Sequence, residues 1–254
     1  MKYQFNIVTG VMRSGTSAMM RALYYSRILI AGYKYPVLGQ DKQGKPIECG
    51  SNVPLELETQ ESNPTGFWEM PLVTRDGLKK TSSYANWDGN TVKVVMPAIM
   101  NSDRELIGKA IVMIRNPKTC LSSMIKGWKE RDMQHDKDIL PLDYILTNLM
   151  GLKYLKENQI PFIIVIYEKL IENPSSVLSR VAEFLGEGDY TEGAKAIEKR
   201  LNRSKEVDFD VSEAEEFYDK CVERDLEYIF SLDPMDYKKR IDEIYLKKQK
   251  EANK

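Results

Sequence analysis

The chain has 254 residues, with 37 basic and 38 acidic side chains and a formal net charge of −1 at pH 7. That balance removes any electrostatic ground for wrapping a polyanion, so no nucleic-acid partner is expected. Apolar and charged contents are both those of a globular domain. Three cysteines, Cys49, Cys120 and Cys221, are odd in number and fit no metal spacing, so they read as free thiols of a reducing compartment. No run reads as a membrane span, and Met1-Lys2 leads directly into YQFNIV, too short for a signal peptide. A soluble, cytoplasmic protein with no membrane partner is expected.

In chain order, YQFNIVT (3–9) is the first strand candidate, followed by a helix over 15–31. Residues 32–90 carry Gly, Pro, Asn, Ser and two tryptophans with little periodicity. So long an irregular stretch is usually functional. With GFWEM and YANW in it, the region reads as an ordered lid or acceptor-binding segment. Strands follow at TVKVVM (91–96), KAIVMIR (109–115) and PFIIVIY (161–167), and helices at 117–131, 141–158 and 174–186. The last two strands are nearly continuous in Ile and Val, as strands buried on both faces are. Strands alternating with helices predict the α/β class, a central, mostly parallel sheet flanked by helices. The whole chain, 1–254, reads as one domain. Past about residue 205 it turns acidic and then basic, a helical extension with Met235, Tyr237, Ile241 and Ile244 on one face.

The segment GVMRSGTS (10–17) has the Gly-x-x-x-x-Gly spacing of a phosphate-binding loop, but Thr16 stands where a nucleotide loop has lysine. Gly10 and Gly15 allow close backbone approach to an anion. The helix beginning near Gly15 offers free N–H groups and the positive end of its dipole. Ser14, Thr16 and Ser17 add hydroxyls, and Arg13 adds a permanent, forked positive charge. Without the lysine a Mg-triphosphate is poorly served, whereas a single 5′-phosphate group is served well.

These residues resemble the 5′-phosphosulfate loop of sulfotransferases that use 3′-phosphoadenosine-5′-phosphosulfate (PAPS). IVMIRNPKTCLSSM (111–124) is similar to that family's 3′-phosphate motif, with Arg115 at a strand end and Ser123 on the next helix. VIYEKLIENPSSVLSRVAEFLG (165–186) is similar to a third family segment, in which Glu168 reads as fixing a strand-to-helix turn. Weaker agreement extends to NPTGFWE (63–69), VKVVMP (92–97) and RLNRS (200–204). The resemblance implies a three-layer P-loop-like fold and metal-independent sulfuryl transfer from PAPS to an acceptor hydroxyl. It also implies nucleotide contacts from Arg13, Ser14, Gly15, Thr16, Ser17, Arg115 and Ser123.

Sulfuryl transfer needs a base on the acceptor oxygen, positive donors on the moving group and neutralisation of the leaving phosphate. By resemblance, Arg13 serves the leaving phosphate and Lys93 the sulfuryl oxygens. The family's histidine base would fall at Val95, so this chain departs from the pattern there. The sole histidine, His135, lies in a polar stretch and reads as a surface residue. Glu69, after Gly66-Phe67-Trp68, is the best substitute, with Glu61 and Asp88 behind it. Phe67, Trp68, Tyr84 and Trp87 suit stacking on a small-molecule or carbohydrate acceptor. Two other readings stay open. One is a P-loop kinase or NTPase, because FIIVIYE mimics a Walker-B strand; the other is a non-catalytic nucleotide-binding relative, because of Val95.

Overall fold

The run FNIVT forms β1 (Phe5–Thr9) because its alternate side chains have apolar partners on both sides of a sheet. Phe5 and Ile7 enter one hydrophobic cluster and Val8 the other. In the computed structural model, residues 4–31, 68–69, 73–80, 89–129, 136–197 and 206–252 are described. β1 is followed by α1 (Thr16–Tyr25), β2 (Ile30–Ala31), α2 (Val73–Asp76), β3 (Thr91–Lys93) and α3 (Met96–Ile99). Then come β4 (Ile107–Ile114), α4 (Pro117–Lys129), α5 (Leu140–Glu157), β5 (Phe162–Ile166), α6 (Tyr167–Glu172) and α7 (Pro174–Leu185). The last elements are α8 (Tyr190–Lys195), α9 (Ser212–Glu223), α10 (Leu226–Ser231) and α11 (Pro234–Ala252).

The five strands run in the order β2-β3-β1-β4-β5, all described pairings parallel. One face carries Ile7, Val92, Val112 and Ile164, covered by α4, α5 and the C-terminal helices. The other carries Val8, Ile111, Met113 and Val165, covered by α1 and α7. This is the expected three-layer α/β arrangement. Parallel strands send their C-terminal ends, and the loops that follow, to the same edge of the sheet.

Two elements differ from the sequence reading: the strand expected over 91–96 ends at Lys93, with Met96 opening α3, and the first helix is shorter than expected. The helix expected over 15–31 ends at Tyr25, because the chain turns at Ser26-Arg27, with Arg27 in the left-handed region at φ 61°, and then supplies the edge strand β2. Ile28 and Ile30 continue the apolar pattern, which hid the break. Past residue 205 the chain is helical as expected. Tyr237 and Ile241 are buried and Ile244 packs against them, but Met235 is 60% exposed. Of the expected lid, only 68–69, 73–80 and 89–90 fall among the described residues. Phe67, Tyr84, Trp87, Glu61, Asp88, His135, Cys49 and the RLNRS segment lie outside them.

Candidate functional site

Between β1 and α1 the backbone makes a tight turn, with Ser14 N–H donating to the Val11 carbonyl and Arg13 held at φ 67°. The two glycines are demanded first by protein neighbours. A Cβ on Gly10 would lie 2.4 Å from Ser14 Oγ and 2.5 Å from the Met113 carbonyl oxygen. One on Gly15, at φ 99°, would lie 2.3 Å from the Tyr167 ring. Gly15 is also the N-cap of α1 and offers no side-chain cap, so the amides of the first turn take no bond from a capping side chain. Thr16 is buried at the first helical position. The Ser14 hydroxyl is buried and has no hydrogen-bond partner among the described residues. A buried hydroxyl left unmatched costs about 1–3 kcal/mol, which a bound oxyanion would offset.

The loop draws two sets of side chains to the C-terminal edge of the sheet. On one side Arg13 Nε donates to Ser123 Oγ at 2.9 Å, joining the loop to α4. Arg115, at the end of β4, donates to the Arg13 carbonyl at 3.0 Å and to Thr119 Oγ1 at 3.1 Å. Its guanidinium also lies over the Tyr167 ring, 4.6 Å from the centroid. The Tyr144 hydroxyl donates to the Arg115 carbonyl at 2.6 Å. Glu168 accepts from the Asn116 amide at 3.1 Å and from the Tyr218 hydroxyl at 3.0 Å. Its expected turn-fixing part is thus visible as hydrogen bonds.

On the other side stands Lys93. In register Val8 pairs with Lys93, so its side chain leaves the sheet on the α1 face. It is 4% exposed. Its ammonium donates to Ser17 Oγ at 3.1 Å and to Glu69 Oε1 at 3.0 Å. β3 lies between β2 and β1, so Lys93 is on an inner strand and its charge is compensated by a carboxylate rather than by water. Val95, in the place of the family histidine, is partly buried against the core, and its amide donates to the Thr74 carbonyl.

Arg13, Ser123 and Arg115 therefore meet in one group, and Ser17, Lys93 and Glu69 in another, with the Ser14–Thr16 turn between them. Sequence reasoning missed Tyr144, Tyr167 and Thr119 as supports of Arg115. Of these, Tyr167 and Thr119 sat inside quoted motifs, Tyr167 beside Glu168 and Thr119 four residues after Arg115, whereas Tyr144 sat in none. Burial pushes the Tyr167 phenol above its ordinary value, with Arg115 opposing, so it stays neutral at physiological pH. Burial also pushes the Cys120 thiol up to about 12. That thiol is no nucleophile at neutral pH. Among the described residues no three His, Cys, Asp or Glu side chains form a metal-binding group, and no helix is long and apolar enough to cross a membrane.

A family model described as a sulfotransferase domain matches residues 92–253. None of the curated proteins matches the chain. Among solved structures, the chain is similar to the sulfotransferase domain from the Synechococcus PCC 7002 olefin synthase, with 15% identity over 88% of this chain and 96% of that one, at a TM-score of 0.47. It is also similar to sulfotransferase STF9 from Mycobacterium avium, with 14% identity over 92% and 78% of the two chains and a TM-score of 0.47. Mouse sulfotransferase SULT7A1 complexed with PAP is 13% identical over 78% of this chain and 64% of that one, with a TM-score of 0.42. All three scores are below 0.5, so the family assignment rests on the domain match alone.

Proposed function

The chain belongs to the sulfotransferase domain family, and on that premise we propose that it transfers a sulfuryl group from PAPS to an acceptor hydroxyl. The carrying observation is the convergence of both side-chain groups on one phosphate-type turn that contains an unmatched buried hydroxyl. When bound, PAPS supplies the activated sulfuryl group and a leaving phosphate.

The residues present fit such a ligand. Ser14 has a hydroxyl to give. The amides opening α1 face the same turn, and Thr16 and Ser17 begin that helix. Arg115 and Ser123 suit the 3′-phosphate, which Arg115 would clamp through a forked, charge-assisted contact. Arg13, joined to Ser123 from its position in the loop, is assigned to neutralise the leaving phosphate. Lys93 reaches the α1 end of the turn and is assigned to the sulfuryl oxygens. Glu69, paired with Lys93, is assigned to take the acceptor proton. Positive charge held beforehand in a partly dry site is worth far more than the same charge in water. The reading needs no metal ion, since Arg13 and Lys93 supply that charge.

Two observations weigh against the kinase or NTPase reading. Thr16 occupies the lysine position. Glu168, the Walker-B mimic, already accepts from Asn116 and Tyr218. The test is label transfer: the purified chain, sulfur-labelled PAPS, a chelator, and separate pools of phenols, alcohols and carbohydrates. Label is expected in at least one hydroxyl pool. Transfer to none of them, by a folded protein, counts against the assignment.

A further inference from the structure

The turn Arg115-Asn116-Pro117 is supported at three points, and each support leads to α9. Asn116 N–H is held by Glu168, whose second oxygen accepts from the Tyr218 hydroxyl. The Arg115 carbonyl is held by Tyr144, whose ring packs edge-on against Phe217 with centroids 6.5 Å apart. Lys118, in the first turn of α4, pairs with Glu215 at 2.8 Å. Glu215, Phe217 and Tyr218 are neighbours on α9, in the stretch whose sequence carried no motif. The Tyr218 hydroxyl stays a donor, because burial and the adjacent Glu168 charge raise its pKa.

We infer that α9 sets the 3′-phosphate selectivity of the site, with Tyr218 a positioning residue that acts through Glu168 and Asn116 on Arg115. This rests on the nucleotide reading above. A carboxylate fixed by two donors holds the backbone on which the arginine stands. With one donor removed, Glu168 is free to turn away and the Asn116 amide loses its acceptor. Arg115 then has more backbone positions to give up when it clamps a phosphate. The cost falls on ligands that carry a 3′-phosphate and spares those that lack it. By linkage, such a ligand must in return tighten the docking of α9.

The experiment is calorimetry of 3′-phosphoadenosine-5′-phosphate and adenosine-5′-phosphate on three proteins: wild type, Tyr218→Phe, and Tyr228→Phe. The last is a control, because the Tyr228 hydroxyl also bonds α9, at Glu216, but at none of the three supports. Tyr218→Phe is expected to weaken the bisphosphate about fivefold or more while leaving the monophosphate within about twofold; Tyr228→Phe should move neither. A merely structural loss would lower melting temperature and leave the ratio of the two affinities alone, and that outcome overturns the inference. A wild type with equal affinity for both nucleotides overturns the assignment of Arg115 itself, and the inference with it. Should Tyr218→Phe not fold, amide exchange on the wild type decides. The bisphosphate alone must slow exchange at Asn116 and along 212–223 together, and unchanged exchange in α9 defeats the proposal.

Discussion

At the scale of single residues, the pairing of Lys93 with Glu69 makes two effects of one substitution separable. Removing one partner of a buried pair strands the other charge, at a cost of about 3–5 kcal/mol. Glu69→Ala strands Lys93, whereas Glu69→Gln leaves an amide oxygen that can still accept from it. The alanine variant should therefore be clearly the less stable of the two. If Glu69 is the base, both variants should lose a similar factor, about 10²–10⁴-fold, in turnover on an alcohol acceptor. Chemical denaturation and initial rates on the same samples separate the effects. Turnover that tracked stability instead would mark Glu69 as a counter-ion only. Lys93→Ala and Arg13→Ala should depress turnover far more than nucleotide affinity, since both are assigned to charge that develops in the transition state. Ser14→Ala has the opposite signs in two assays. It removes an unmatched buried hydroxyl, so the ligand-free protein should gain stability, while nucleotide affinity falls. A ligand-free protein that lost stability would show that the hydroxyl is already satisfied.

At the scale of elements, the strand–loop–helix unit around Gly15 is the most constrained. Alanine there must adopt φ 99° and place a carbon against the Tyr167 ring. Gly15→Ala is expected to cost at least about 2 kcal/mol in a urea midpoint series. Adding Tyr167→Leu should recover part of that, because it relieves the contact but not the backbone strain. A Gly15→Ala cost below about 0.5 kcal/mol would place it among ordinary surface changes. These elements also show what the sequence could tell. β4 and β5 were legible because strands buried on both faces leave nearly continuous Ile and Val runs, and β1 as a short apolar run ahead of the glycine loop. β2 was not, because two residues at the sheet edge carry no period. Arg13, Arg115 and Ser123 were legible singly, each in a local motif. Their mutual contacts span 102 and 110 residues, and no local pattern encodes such a distance. The supports contributed by Tyr144 and Tyr218 were invisible for the same reason. In sequence they are unremarked tyrosines within helices.

At the scale of the whole molecule, two of the three thiols belong to the core. Cys120 and Cys221 are free and buried, and burial pushes each up to about 12. An unfolded thiol titrates near about 8.5. Between those values the unfolded chain has lost protons that the folded chain keeps, so stability falls as pH rises through that window. Below it, the two thiols add no pH dependence. The expected result is a melting temperature that declines from about pH 8.5 upward, less steeply in Cys120→Ala and Cys221→Ala. A thiol reagent at neutral pH should modify these two positions only on unfolding. Rapid modification of either in the native protein would contradict the burial.

The position of β1 at the centre of the sheet has a consequence in time as well as in space. β1 leaves the ribosome before its partners β3 and β4, and the Arg13 carbonyl waits 102 residues for Arg115. Until then the phosphate-type turn has no walls, and the strand exposes two unpaired edges. Pairings of such long sequence separation give a high contact order, which slows folding. The nascent chain is therefore most open to misassociation while β1 has emerged and β3 and β4 have not.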